Sequence, residues 1–296
     1  MTERYLPPEL AAGDVTAVLG LVSDTHMPQR CRELPPALFG ALAGAGVILH
    51  AGDVGELWVL DRLSEIAPVI AVHGNDDTPA ATRELPYQQL LTVAGQRILL
   101  WHSHRRERAD ELTARRGDEW EPKLAHRAAR GQQAGADVVV FGHTHVPMRA
   151  RRDGVLLVNP GAIASGSEWT RQVRQTVALL YLTGDGRAAV SHVDLADPER
   201  VYEAEVAWPA GFRAANARYE TPILAPDLVP YLARLRRDNY SAPFAVRTAI
   251  LRIAHRCWSG EQPFITAGDI LKEVEGDGAI PDEDKAYVRD LVAEAP

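Results

Sequence analysis

The sequence predicts an α/β protein: a layered domain over residues 1–200, then a linker and a small helical module over residues 201–296. Three observations carry this. Short apolar runs alternate with helix-like stretches over the first two hundred residues, and five of those runs end in carboxylate, amide or imidazole residues. After about Leu195, prolines punctuate the chain and helical periodicity takes over. With 46% apolar positions in 296 residues, the chain is long enough to bury a full core.

AVLGLVS (17–23) reads as a strand ending in Asp24-Thr25-His26. The helix-like ALFGALAGAG leads into VILH (47–50), which ends in Ala51-Gly52-Asp53. LWVLDRLSEIA leads into VIAVH (69–73), which ends in Gly74-Asn75-Asp76-Asp77. QQLLTVAGQRILLWH (88–102) predicts a hairpin turning at Ala94-Gly95, whose second arm closes on His102-Ser103-His104. The charge-rich stretch 105–135 predicts one or two helices ahead of DVVVF (137–141), which ends in Gly142-His143-Thr144-His145. RRDGVLLVNPG (151–161) predicts a hairpin at Asp153-Gly154, and VALLYL with RAAVSHVDL a further β pair around Gly184-Asp185-Gly186.

In PFAVRTAILRIAHRCW the apolar Val246, Ile250, Ile253 and Cys257 fall on one helical stripe. Two further helices are expected, TAGDILKEV from Thr266 and PDEDKAYVRDLVAEA from Pro281, the latter with acids in its first turn where the helix dipole favours them. An amphipathic stripe demands a partner surface, so these helices are expected to form a homo-oligomer contact or a lid.

Composition excludes several classes. The chain carries 32 basic and 40 acidic residues, a formal charge of -8, which disfavours bulk nucleic-acid binding. Residues 221–296 hold nine basic against twelve acidic residues, so the C-terminal helices lack the electrostatic footprint of a DNA reader. Cys31 and Cys257 stand far apart, which argues against a disulfide framework or a thiolate zinc site. The opening MTERYLPPELAAGD has no basic segment followed by a long apolar run, and no stretch approaches the ~18 apolar residues of a membrane span. The expectation is a cytoplasmic protein without membrane contact.

The informative feature is the series Asp24 and His26, Asp53, Asn75, His102, then His143 and His145, each at the end of an apolar run. Side chains at successive strand ends of one sheet converge on one edge. Hard oxygen donors with imidazole and no thiolate suit manganese, iron, zinc or a similar divalent ion. Seven donors are too many for one tetrahedral ion and about right for two ions ~3.5 to 4 Å apart that share a carboxylate.

The ordered set DTH, GD, GND, WHSH and GHTH, followed by VNPGA, resembles the calcineurin-like metallophosphoesterase superfamily, and most closely its small bacterial and archaeal phosphodiesterase branch. The resemblance covers residues 17–195. It implies an αββα sandwich of two mixed β-sheets flanked by helices, with the helical extension following. It also implies that Asp24, His26 and His145 hold one divalent ion, that Asn75, His102 and His143 hold the other, and that Asp53 bridges them. Manganese is the expected metal, with iron, zinc, nickel or cobalt as alternatives. The implied activity is hydrolysis of a phosphate ester, a phosphodiester or nucleotide-like small molecule, by in-line attack of a metal-bridging hydroxide.

Departures from the family pattern bear on substrate. Many relatives carry histidine after the Asn ligand, where it protonates the leaving group; here Asp76 is the candidate catalytic residue. It can donate a proton only if burial and Asp77 raise its pKa. Expected substrates are therefore esters whose leaving group needs little protonation, such as aryl phosphodiesters. Ser103 replaces the middle glycine of the usual His-Gly-His, at a cost if a positive φ is needed there. Ala162 stands where relatives often have serine.

Forty residues separate His102 from His143, and the excess is expected to form a flap beside the metals. Arg105, Arg106 and Arg108 are candidates for binding an anionic substrate; the alternative is a solvated helix face paired with Glu107, Asp110 and Glu111. His104 is a second substrate-binding candidate. His50 and His73 are expected to support the site by hydrogen bonds. His126, His192 and His255 read as structural, and Trp101 and Trp169 as packing residues. The competing functions on the same core are a nucleotide pyrophosphatase and a phosphomonoesterase or protein phosphatase. From a different class comes a non-catalytic protein-binding scaffold like the retromer subunit of this superfamily; the complete donor set favours catalysis.

Overall fold

A computed structural model describes residues 3–235 and 242–293. They form two compact units: the described residues through Ala164 together with Gln172–Tyr219, and Ser165–Arg171 together with the described residues from Glu220 onward.

The first unit holds two five-stranded mixed sheets. One contains β1 (Val15–Val22), β2 (Val47–His50), β3 (Val69–Ala71), β10 (Thr176–Thr183) and β11 (Ala188–Asp194), in the order β11-β10-β1-β2-β3. The other contains β4 (Gln88–Val93), β5 (Gln96–Trp101), β6 (Val138–Phe141), β7 (Met148–Arg152) and β8 (Val155–Asn159), in the order β4-β5-β6-β8-β7. β1, β2 and β3 run parallel, as do β5, β6 and β8, while the remaining pairings are antiparallel.

Alternation along the strands sorts side chains into layers. Leu19, Leu21, Leu49 and Leu180 from one sheet meet Ile98, Leu100, Val140 and Val158 from the other. The opposite face of the first sheet, with Val18, Val22 and Ile48, is covered by α1 (Pro36–Leu42) and α2 (Trp58–Ser64) through Leu38, Leu42, Val59 and Leu63. The opposite face of the second, with Leu99, Val139, Phe141 and Leu157, is covered by Trp120 and Ala128 of α5 (Trp120–Ala134). This is the αββα sandwich expected, each fully buried Leu, Val or Phe contributing roughly 1.5–3 kcal/mol. Between α2 and β4 lies the short α3 (Pro79–Glu84), capped by the Thr78 hydroxyl; α4 (Arg108–Arg116) precedes α5, so the charge-rich stretch forms two helices.

The β4–β5 hairpin turns through Ala94 and Gly95, and the β7–β8 hairpin through Asp153 and Gly154; all four residues have positive φ, the twist that two-residue hairpin turns require. Between β8 and β10 lies the three-residue β9 (Thr170–Gln172). The expected boundary near residue 200 falls inside the first unit. Tyr202, Val206, Phe212 and Tyr219, together with Ala215 of α6 (Phe212–Asn216), join the apolar cluster on the outer face of the second sheet.

The second unit contains β12 (Glu220–Pro222), α7 (Phe244–Trp258), α8 (Ala267–Gly276) and α9 (Asp282–Ala293). The stripe Val246, Ile250, Ile253 and Cys257 is buried as its spacing predicts, against Ile270, Val274, Val288 and Val292. Thr266 starts α8 with a capping box: its hydroxyl accepts the Asp269 N–H and the Asp269 carboxylate accepts the Thr266 N–H. The last residues of the third expected helix, 294 and 295, lie outside the described residues. No helix among the described residues is long and apolar enough to cross a membrane.

Candidate metal centre

All seven predicted donors lie just past the C-terminal ends of β1, β2, β3, β5 and β6, the strands that run parallel within their sheets. The backbone there is contorted. Asp24, His26, Asp53, His143 and His145 all have positive φ, between 43° and 71°. Non-glycine residues adopt that region only when their surroundings over-determine it, and such residues gather at functional sites. The determinants are hydrogen bonds between loops: Asp24 N–H to Gly52 O at 3.0 Å, His26 N–H to Asp53 O at 2.9 Å, and His143 N–H to Asp24 Oδ2 at 3.0 Å.

These loops gather potential metal donors into three overlapping groups, each with its ligand atoms within 4.8 Å of one another: Asp24, His26 and His145; Asp24, Asp53 and His102; His26, Asp53 and Asp76. His145 Nε2 lies 3.1 Å from Asp24 Oδ1, and His102 Nε2 3.2 Å from Asp53 Oδ2. His26 Nε2 faces both carboxylates, 3.9 Å from Asp24 Oδ1 and 3.6 Å from Asp53 Oδ2. Asn75 Oδ1 is buried and accepts no hydrogen bond from the described residues. A buried carbonyl oxygen without a donor is costly unless something else satisfies it. Together with the pairing of hard oxygen and imidazole, that orphan fits a divalent-cation site. His143 stands outside the three groups; its ring packs edge-on to that of His102, with centroids 5.1 Å apart.

Two glycines keep the cluster open. A side chain at Gly52 would bring a Cβ to 2.7 Å from the His102 ring, and one at Gly74 would overlap Asp53 Oδ1. His102 Nδ1–H donates to Ala51 O at 2.7 Å, which leaves Nε2 turned to the carboxylates. His50, fully buried, accepts the Gly52 N–H at Nδ1 and meets the Thr25 hydroxyl at Nε2. Its place beneath the loops is the supporting one expected of it. His73 Nδ1 meets its neighbour's carbonyl, Gly74 O, at 3.0 Å, and its ring lies beside those of Tyr87 and His104, with centroids 5.8 and 5.7 Å away.

Charge follows the geometry. Burial opposes ionisation of Asp24, yet His145 and His102 hold its carboxyl well below the usual range. Burial likewise opposes ionisation of Asp53, and His102 and His26 overcome it. Burial alone would lower His102, but Asp53 pushes it up to about 9. Burial, with the nearby Arg30 charge, brings His26 down to about 4. Asp77 goes the other way: burial and the Asp53 charge raise it to about 7, although it accepts the Gly55 and Gly74 N–H groups.

Asp76 does not have the environment a proton donor needs. Burial raises its pKa, but the Arg30 guanidinium 2.8 Å away, together with His26, holds the carboxyl below its ordinary value. Ser103 adopts φ 81° and its hydroxyl accepts a hydrogen bond from the buried Arg127 at 2.9 Å, so serine takes the left-handed position where the family pattern has glycine. Ala162 is fully buried. His104 is buried with its ring 5.4 Å from that of His102. Arg105 turns its guanidinium to His126 Nδ1 at 3.0 Å, and Arg106 lies over the Tyr87 ring. The side chain of Arg108 lies outside the described residues. Trp101 and Trp169 are buried in separate apolar clusters.

Sequence reasoning missed the roles of three residues. Arg30 follows His26 by one helical turn's spacing, a signal that was available. Asn159, in the VNPGA segment, donates to Gly142 O and Thr144 Oγ1 and accepts the Gly161 N–H, which pins the loop bearing His143 and His145. Glu111 meets His143, and no spacing in the sequence announces it.

Residues 18–185 match the family model of the calcineurin-like phosphoesterase superfamily domain. The chain belongs to that superfamily. A probable metallophosphoesterase of Methanocaldococcus jannaschii is 34% identical over 147 residues, 50% of this chain and 68% of that protein. A second, from Methanothermobacter thermautotrophicus, is 34% identical over 145 residues, 49% of this chain and 76% of that protein. Phosphodiesterase YfcE of Escherichia coli is 34% identical over an alignment covering 49% of this chain and 79% of that protein. Among solved structures, Vacuolar Protein Sorting 29 from Cryptosporidium parvum aligns with TM-score 0.46 at 21% identity, covering 61% of this chain and 98% of that one. A structure described as a novel archaeal phosphodiesterase aligns with TM-score 0.43 at 19% identity, covering 60% of this chain and 99% of that one. As a member of the superfamily, the chain is a phosphoesterase by family, with Asp and His groups suited to divalent ions.

Proposed function

We propose that this protein is a phosphodiesterase that uses two divalent cations, manganese first, on aryl or nucleotide-like phosphodiesters. The observation that carries the proposal is the sharing of Asp24 and Asp53 among the three donor groups, since two neighbouring ions need carboxylates common to both. In this reading Asp24, His26 and His145 hold one ion, Asn75, His102 and His143 the other, and Asp53 both. When bound, the ions supply a solvent nucleophile at neutral pH and neutralise charge on the phosphoryl oxygens.

The protein's own groups do the rest. The His102 Nδ1–H bond to Ala51 O and the crossed loop hydrogen bonds hold donors at fixed positions, so little reorganisation accompanies substrate binding. Arg30, with Nη1 3.4 Å from the His26 ring, brings a guanidinium to the rim of the carboxylate cluster, where it favours an anionic ester. Asp76 is ionised beside it and has no proton to give a leaving group, which is why esters of acidic alcohols are the proposed substrates. His104 and Arg105 remain the proposed substrate contacts. For the C-terminal helices we propose self-association, in keeping with the exposed Phe244 at the start of α7.

The test is hydrolysis of bis-p-nitrophenyl phosphate over a panel of divalent metals, with a chelator control and phosphomonoesters alongside. Metal-stimulated diester cleavage that the chelator abolishes supports the proposal. Metal-replete protein that leaves every ester intact ends it, and a preference for monoesters returns the reading to a phosphomonoesterase.

A further inference from the structure

The stretch between His102 and His143 is longer than a loop of its span requires, and it carries α4. Glu111 sits on that helix, almost fully buried. A solvated helix face is therefore not its setting. Its Oε1 lies 2.7 Å from His143 Nε2 and 2.7 Å from Arg115 Nε, and its Oε2 accepts the Arg105 N–H at 2.8 Å. One carboxylate thus ties the loop after His102 to the loop bearing His143.

We propose that Glu111 is a positioning residue for the metal centre: it holds His143 as the Nε2–H tautomer, so that Nδ1 is the nitrogen offered to an ion. The inference rests on the reading of His143 as a ligand. An ionised carboxylate only accepts hydrogen bonds, so the shared proton belongs to Nε2 and the lone pair to Nδ1. The backbone of His143 is fixed at the same time by its N–H bond to Asp24 Oδ2, so ring and main chain are held from two sides. His102 shows the complementary arrangement, Nδ1 occupied by Ala51 O and Nε2 turned to Asp53. The two histidines assigned to one ion therefore present opposite nitrogens, and each is fixed by an acceptor on its far side. Carboxylates placed behind a ligating histidine orient the ring and raise its basicity, and their loss weakens metal binding by about 10–100-fold.

Two measurements on the intact protein test this. Metal stoichiometry and affinity are read by chelator competition in wild type, E111A, E111Q and H143A; the His143 tautomer is read in metal-free protein by long-range 15N–1H NMR. Expected are two ions in wild type and one in H143A, with the second ion bound about 10–100-fold more weakly in E111A. Wild-type His143 is expected as the Nε2–H form and E111A as a mixture. E111Q keeps the volume but can face Nε2 with either its amide oxygen or its amide N–H, so it too is expected to mix the tautomers and weaken the second ion; it carries the test if E111A does not fold. Wild-type affinity for both ions in E111A, or an unchanged tautomer, overturns the role of Glu111 alone. Equal ion counts in wild type and H143A overturn the ligand reading itself, and the positioning of a ligand with it.

Discussion

Arg30 Nη2 donates to Asp76 Oδ2 across 2.8 Å, and both side chains are largely shielded from solvent. The pair sets a cation and a carboxylate side by side where many family members place a histidine. On the proposed phosphodiesterase reading, its consequence is a reaction without a strong proton donor. Aryl diesters are expected to turn over at least about a hundredfold faster than alkyl diesters of equal size, the size of a typical general-acid contribution. In Asp76→Asn the aryl rate should stay within about tenfold of wild type, because no proton transfer is removed. Paired kcat measurements on p-nitrophenyl and methyl esters check this; comparable alkyl and aryl rates that vanish in Asp76→Asn would restore the carboxyl as an acid.

Asp53 belongs to two of the three donor groups, so its removal should strike both ions at once. A ligand that binds only the folded state stabilises it by about 2.7 kcal/mol at a hundred times its Kd. Wild-type Tm should therefore rise on addition of Mn2+, and Asp53→Ala should show no such rise while still melting cooperatively. Differential scanning calorimetry with and without metal makes the comparison. His26→Ala should retain part of the shift.

Ser103 at φ 81° pays a backbone strain that glycine would not, while its hydroxyl satisfies Arg127. The two effects separate by substitution. Ser103→Ala keeps the strain and removes the bond, so it should destabilise by about 1–3 kcal/mol. Ser103→Gly removes both and should be more stable than the alanine variant by about 1–2 kcal/mol. Urea unfolding of the three proteins gives the order directly.

His192 is buried with Nε2–H donating to Asn159 O at 2.8 Å, and burial brings its pKa from 6.5 down to about 4. The unfolded chain therefore binds a proton in a range where the folded one resists it. Stability from this residue is full above about pH 6.5 and is lost as pH falls toward 4, by about 3 kcal/mol in all. His192→Gln should flatten that part of the acid limb, read as a smaller change in unfolding free energy between pH 7 and pH 4.5.

The layered architecture was legible because its signals are local. Asp153-Gly154 and Ala94-Gly95 specify their hairpins by the backbone they tolerate, and the stripe through Val246 and Cys257 is written at helical spacing. The clustering of Asp24, His26, Asp53, His102 and His145 was legible because parallel strands deliver their C-terminal residues to one edge. Glu111 was not, since its contact with His143 depends on how α4 folds back over the site and leaves no periodic trace. The proline-rich texture after Leu195 suggested a linker, whereas Tyr202, Phe212 and Tyr219 fill the outer face of a sheet, a long-range demand that composition does not reveal. Asp76 was open on sequence alone because its ionisation depends on Arg30, forty-six positions earlier.

The strands that deliver the donors come from both sheets, with Asp24 to Asn75 on one and His102 to His145 on the other. In the proposed assignment each ion draws ligands from both sheets, so a cation would find its full set of donors only once the sandwich has closed and would act as a latch on the finished architecture.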